Sequence, residues 1–455
     1  MVDVTELKRN VENWISKQMP QAEAVSITEP EKPGMGLSSE TWLFDIHYRE
    51  SGEQRRLPAV LRSAPREGGV FPEYELGNQF RIMQILGTRT DIPVARMLWL
   101  EEDPAVIGVP FFLMERLDGD VPQDYPSYHG SGVYYESTPE QRKKMWWGTL
   151  ENMAKIHQLD WKGLGITFLG EPENPADALD RQLIYWERYF EWLKDDLDNE
   201  HPTMASTLKW LRENKYEPER MCLCWGDARI GNTLYSLPDR EVLAIMDWEM
   251  AFIGDPMADL TWSFTLDKQH SEGYGLAKLE GTPLPDEIVS RYEELTGWRA
   301  ENLLYNEVLS TLRYGGTVIA VMKKLIKQGI PMDADMIRNN FATQHLSDLL
   351  DLPSPGPKLY EKQTSDVSEI TATVQFHFTG PGGSEWYLAC DKGKGSRHEG
   401  EAENPDCIIT VSVEDWKAIQ SGELNRLEAW SSGRLVTDGD LGLLALLEDM
   451  MREFT

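Results

Sequence analysis

Two short apolar runs near the middle of the chain, "MCLCW" at 221–225 and "VLAIM" at 242–246, each give way to an aspartate: Asp227 behind a glycine, and Asp247 directly. Runs of this length and composition read as strands, and they interrupt helical patterns at roughly 177–214, 285–296 and 301–328. Asn232 stands five positions after Asp227 in "CWGDARIGNTLY". Alone, a Gly-Asp pair is most often a turn, and Asp227 on that basis is structural. The ordered set Asp227, Asn232 and Asp247, with the cation Arg62 upstream in "PAVLRS", reverses that reading. Such a set supplies a base and hard oxygen ligands for a metal ion.

A chain of 455 residues predicts two or three domains. With Lys+Arg 45 against Asp+Glu 76, the formal net charge is -31, so most of the surface repels phosphate backbones. Nucleic acid is thereby excluded as a natural partner, and an anionic membrane is hardly better. Cys222 and Cys224 alternate within the first strand and lack a second Cys/His pair at zinc spacing, so they read as small buried apolar side chains. Four cysteines without a disulfide-framework spacing suit a reducing cytoplasm. "MVDVTELKRNVENWISKQM" at the N-terminus has no apolar signal-peptide core, and no apolar run reaches the roughly 18 residues that span a bilayer. A soluble, cytoplasmic protein without membrane insertion is expected.

Residues 1–116 read as a β-rich lobe with one main helix. An opening amphipathic helix puts Leu7, Val11, Trp14 and Ile15 on one stripe. "GMGLSSETWLFDIHY" (34–48) runs from glycines into a strand, and "LPAVLRS" (57–63) supplies a second, a hairpin-like pair. "EYELGNQFRIMQIL" spaces Leu76, Phe80 and Met83 helically, and "AVIGVPFFLMERL" (105–117) is strand-like. A helical lobe follows over 117–350. One of its helices is announced by "STPEQ", with Thr138 as N-cap, Pro139 at the first helical position and Gln141 three after the cap; Trp146, Leu150 and Met153 continue its buried face. His157 reads as a buried helix residue. The tyrosine-rich "DVPQDYPSYHGSGVYYESTP" (120–139) is either a lid offering an aromatic wall to an apolar substrate or a loop packed on the lobe. Prolines and polar residues make 351–366 a linker, and alternating strands resume over 367–455, ending in the helix-like "DLGLLALLEDMM".

Phosphoryl transfer asks for metal ligands, an orienter for the attacking hydroxyl, and donors around the phosphates. "WGDARIGNTLY" and "AIMDWEMAFIGDPMADLTW" together resemble the aminoglycoside phosphotransferase and choline kinase superfamily, most of all the branch related to acyl-CoA dehydrogenase-associated kinases. "PAVLRSAP", "GVPFFLMERLDG" and "MAKIHQLDW" fit the same pattern, which covers residues 30–345. The resemblance implies an α+β, bilobal protein-kinase-like fold and an ATP-dependent small-molecule kinase using ATP and Mg2+. It implies Asp227 as the catalytic residue that accepts or orients the hydroxyl proton, Asn232 and Asp247 as magnesium ligands, and Arg62 against the phosphates. The loop from Gly34, with Gly36, Ser38, Ser39 and Thr41, would cover the phosphates, and the hinge at 114–117, with Glu115 and Leu117, would meet adenine. Two positions depart from the family. Gln79 stands where related kinases have a Glu that pairs with the strand cation, leaving Glu75 one turn earlier as substitute. Trp225 replaces a His whose part is packing and hydrogen bonding, so altered loop support is expected rather than lost chemistry. Gly254, Asp255 and Asp259 are expected to brace the loop by capping the next helix.

The tail, with Pro405-Asp406, Gly422, Ser432-Gly433-Arg434 and Gly439-Asp440, resembles the sterol carrier protein type-2 domain. That resemblance implies a small α/β domain, a five-stranded sheet backed by helices around an apolar tunnel for sterols, fatty acids or acyl-CoA. A hydrophobic or acyl-CoA-linked hydroxyl substrate follows as the expected phosphate acceptor. Two alternatives stand beside it: a lipid-binding regulatory protein on a catalytically retired kinase fold, and an aminoglycoside-type antibiotic phosphotransferase whose acidic pocket welcomes cations. Other roles for the tail are to mediate a homodimer or to cover the site.

Overall fold

The computed structural model describes residues 4–32, 39–66, 68–194, 201–327, 334–359, 371–392, 394–421, 424, 429 and 434–439. Contacts group the chain into two compact units: Met1–Pro122 with Thr138–Thr265 and Gly281–Val321, and Gln123–Ser137 with Leu266–Glu280 and Met322–Thr455.

The first unit opens with α1 (Val4–Gln18), whose stripe of Leu7, Val11, Trp14 and Ile15 is buried. It packs on a five-stranded antiparallel sheet ordered β1-β2-β3-β5-β4, made of β1 (Glu23–Ile27), β2 (Glu40–Glu50), β3 (Glu53–Ser63), β4 (Met97–Glu101) and β5 (Phe111–Glu115). β2 and β3 form the expected hairpin, turned by Ser51 and Gly52 at φ 53° and 84°, the pair of left-handed residues that lets a two-residue turn match the strand twist. Alternation along β5 sends Phe111 and Leu113 to the α1 face and Phe112 to the other, against Leu76 and Phe80 of α2 (Leu76–Arg89). With both faces covered, a one-residue slip would bury the wrong set of side chains, so the register that places Arg62 is fixed. The strand-like pattern over 105–117 is strand only in β5, because Gly108 turns back to donate to the Pro104 carbonyl at 2.7 Å.

A short helix α3 (Gly132–Glu136) belongs to the second unit; α4 (Pro139–His157) resumes the first. At its start Gln141 N–H donates to Thr138 Oγ1 at 3.3 Å and Thr138 N–H to Gln141 Oε1 at 2.9 Å, the expected capping box. α5 (Pro175–Trp192) and α6 (Pro202–Glu213) follow. The two strand motifs are then realised as short ladders: β6 (Cys222–Cys224) pairs with β9 (Phe252–Gly254), and β7 (Thr233–Tyr235) with β8 (Val242–Ile245). Each ladder is three or four residues long, so Asp227, Asn232 and Asp247 lie just beyond strand ends, free of ladder geometry. α7 (Met257–His270), α8 (Pro285–Thr296) and α9 (Leu303–Lys327) complete the helices of this region. All four cysteines are buried, and burial pushes the Cys222 and Cys224 thiols up, as for apolar packing groups.

In the second unit the tyrosine-rich stretch is packed rather than open. Tyr128 and Tyr134 are buried, and Asp267 accepts hydrogen bonds from the Tyr128 hydroxyl and His129 Nε2, each at 3.0 Å, while pairing with Lys278 at 2.5 Å. After α10 (Phe341–Leu350) comes a sheet ordered β12-β11-β10-β13-β14. Its strands are β10 (Ala372–Thr379), β11 (Glu385–Asp391), β12 (Lys394–Glu399), β13 (Cys407–Ser412) and β14 (Leu435–Gly439), parallel only between β10 and β13. α11 (Val413–Ser421) brings Trp416 onto the stacked pair Phe376 and Trp386, whose centroids are 4.2 Å apart. The expected helix "DLGLLALLEDMM" and the markers Gly422, Ser432, Gly433 and Asp440 lie outside the described residues. No described helix is long and apolar enough to cross a membrane.

Candidate active site

β3 directs Arg62 to two carboxylates. Its Nη2 donates to Oδ1 and Oδ2 of Asp247 at 3.0 and 3.1 Å and to Oε2 of Glu249 at 3.0 Å. Burial alone would depress the guanidinium; the charges of Asp247 and Glu249 more than reverse this and raise it. Ser39 Oγ donates to the same Glu249 oxygen at 3.3 Å, and Thr41 faces Arg62 across the hairpin. Gly36 and Ser38 of the expected phosphate loop lie outside the described residues. Glu75 is a correction to the reading above. It sits exposed at the N-cap of α2, ahead of any helical face, and its partner is Asn78 at 3.5 Å, so it does not reach Arg62. The place it was expected to fill is taken by Asp247 and Glu249, while Gln79 is buried. Glu115 pairs with Arg96 at 2.8 Å, and half-buried Leu117 lies two positions further along the chain.

The turn after β6 is built around Gly226. Its φ is +92°, and a Cβ there would fall 2.0 Å from the Met250 carbonyl, so no other residue fits. Asp227 follows. Its Oδ1 accepts from Trp262 Nε1 at 2.7 Å and Arg229 Nε at 3.1 Å. Burial raises the Asp227 carboxyl above its ordinary range, Arg229 opposes this, and Asp247 adds to the rise. Asn232 donates its amide to the Asp227 carbonyl at 3.1 Å and accepts at its own carbonyl from Met246 N–H at 2.9 Å, tying the loop to the end of β8. Asp247 is a non-glycine residue at φ +57°. Trp225, fully buried, bridges that point: its indole N–H lies 2.7 Å from the Met246 carbonyl and 3.1 Å from that of Asp247. Asp259 takes the Trp225 and Gly226 amides at 2.6 and 2.9 Å and bonds His157 at 3.1 Å. It therefore braces the loop directly, and the helix cap falls to Asp255, which accepts from Met257 N–H at 2.9 Å.

Residues 35–293 match the family model described as "Phosphotransferase enzyme family". The chain belongs to this family. Its residues 358–452 match the SCP-2 sterol transfer family. Among curated proteins, the "Probable acyl-CoA dehydrogenase IBR3" of Arabidopsis thaliana is 28% identical over 296 residues, 62% of this chain and 34% of that one. "Acyl-CoA dehydrogenase family member 11" of Mus musculus is 27% identical over 277 residues, 57% of this chain and 33% of that one. Human "Sterol carrier protein 2" is 30% identical over 150 residues, 30% of this chain and 27% of its own length. The phosphotransferase-family chain thus spans about a third of these relatives. A solved structure from Ralstonia eutropha, proposed as an aminoglycoside phosphotransferase, shares the fold with a TM-score of 0.54 at 22% identity, over 75% of this chain and 97% of that one.

The donors of this phosphotransferase-family site suit a hard divalent cation: carboxylates of Asp247 and Glu249 and the side-chain oxygen of Asn232, with no soft ligand among them. Arg62 Nε is buried without a hydrogen-bond partner, a spare donor that a phosphate oxygen would satisfy. Sequence reasoning had not assigned Glu249, Arg229, Trp262 or Arg313 to the site. Glu249 carried a signal, since in an extended segment it shares a side with Asp247 two positions before. Trp262 and Arg313 carried none, being brought in by helices remote in sequence.

Proposed function

We propose that this protein transfers the γ-phosphoryl group of ATP to the hydroxyl of a small hydrophobic or acyl-CoA-linked alcohol. The observation that carries this reading is the convergence of Arg62, Asp247 and Glu249, beside a turn that presents Asp227 and Asn232. Trp262 and Arg229 hold Oδ1 of Asp227 and so orient its carboxylate, which receives the proton of the acceptor hydroxyl as its oxygen bonds to the γ-phosphorus and the bond to ADP breaks. Arg229 opposes the rise that burial imposes on this carboxyl. Asn232, Asp247 and Glu249 are the residues to hold Mg2+, which when bound neutralises charge on the phosphates. Arg62 meets the phosphate oxygens with its unspent Nε. The acceptor class rests on the SCP-2 match of the tail and on relatives that bear acyl-CoA dehydrogenase names.

The test is ADP release from ATP and Mg2+ with a panel of hydroxylated acyl-CoA thioesters, fatty acids and sterols. At least one acceptor should raise ADP release above the acceptor-free rate, and Asp227→Asn should lower it about 10²–10⁴-fold. Stimulation by aminoglycosides alone would reassign the acceptor, and wild-type turnover in Asp227→Asn would remove the base assignment.

A further inference from the structure

Arg313 stands in the middle of α9 and is 1% exposed. Its Nη2 donates to the Gly226 carbonyl at 2.5 Å, and its guanidinium lies 4.6, 5.4 and 5.9 Å from the ring centroids of Trp262, Phe252 and Trp186. Nε and Nη1 are buried without partners, and no described carboxylate is within salt-bridge distance. Burying a cation in this way is costly, and three aromatic faces and one carbonyl offset only part of the cost. Burial depresses this guanidinium, while the more distant charges of Asp259 and Asp227 help to keep it protonated.

We infer that Arg313 is a positioning residue of the catalytic turn: it fixes the Gly226 carbonyl and the Trp262 indole, and through them the carboxylate of Asp227. The position before Asp227 must be glycine for steric reasons, and glycine has the greatest backbone freedom of any residue. Two buried charges remove that freedom from opposite ends, Asp259 at the N–H and Arg313 at the carbonyl. The Gly226 carbonyl belongs to the peptide that also carries the Asp227 N–H, so its direction sets how Asp227 leaves the turn. The second route runs through Trp262, whose ring faces the guanidinium and whose Nε1 holds Asp227 Oδ1 at 2.7 Å.

This inference rests on the role proposed for Asp227, and its test separates the two. In the full-length protein, Arg313→Met should lower kcat about 10–100-fold, because small misplacements of a reacting group are costly. KM for ATP and the calorimetric Kd of Mg-ATP should stay within about threefold, since Arg62 and Asp247 are untouched. Arg313→Lys should recover part of kcat. The indole N–H resonance of Trp262, assigned by its loss in Trp262→Phe, should move toward the position of a free indole in Arg313→Met. Wild-type kcat with an unmoved Trp262 resonance would overturn the inference, as would kcat and Mg-ATP affinity falling together by the same factor. If no acceptor supports turnover in the wild type, the resonance and the Mg-ATP titration still report on the turn, so the phosphotransfer reading fails alone. Should Arg313→Met not fold, Arg313→Lys carries the same comparison with the same deciding outcomes.

Discussion

Asp247 is held at φ +57°, a backbone state that costs a non-glycine residue of order 1–3 kcal/mol unless its surroundings enforce it. The Trp225 indole is one such restraint, donating toward the Met246 and Asp247 carbonyls, which lie on either side of the Asp247 α-carbon. The tryptophan at this position therefore supplies a hydrogen bond as well as bulk. Trp225→Phe keeps most of the packing and removes the N–H, leaving buried carbonyls without their donor; a loss of about 1–3 kcal/mol in denaturant unfolding is expected, with weakened Mg-ATP binding. Trp225→His restores a ring N–H and should regain nucleotide affinity relative to Phe. Wild-type stability and Mg-ATP affinity in Trp225→Phe would reduce the indole to packing.

At the scale of elements, the buried cluster around Asp267 links titration to stability. Burial pushes the Asp267 carboxyl up, but the His129 hydrogen bond and the His129 and Lys278 charges pull it further down, to about 2. A carboxyl depressed on folding contributes stability above its unfolded pKa and loses it as pH falls. This contribution, about 2 kcal/mol, should be complete at pH 7 and should fade between about pH 5 and 2. Asp267→Asn should accordingly show its full deficit in urea midpoints at pH 7, and the deficit should shrink as pH is lowered toward about 3. A deficit independent of pH would assign the cluster to packing alone. The same elements show what a sequence can tell. α1 and α4 were legible because a buried stripe and a capping box are local signals. β4 was not, since all five of its residues are half-buried and show no alternation, and β12 is mostly exposed and polar. Within the site, Asp227, Asn232 and Asp247 share one short stretch of chain, whereas Asp259 and Arg313 act on Gly226 only once α7 and α9 have folded around it.

The whole molecule joins a phosphotransferase-family region to an SCP-2-family tail on a chain of formal net charge -31. Because it spans about a third of its curated relatives, their dehydrogenase names describe more protein than is present in this sequence. Such an acidic surface repels free ATP, and under the function proposed above the cluster of Asp247, Glu249 and Asn232 would make nucleotide binding depend on a divalent cation. The most direct measurement is a calorimetric titration of the full-length protein with ATP, with Mg2+ and with excess chelator, repeated for Asp247→Asn. The expected result is saturable one-site binding of Mg-ATP that is lost on chelation and in Asp247→Asn. Absence of binding, or equal binding in all three conditions, would contradict a metal-nucleotide site at this cluster.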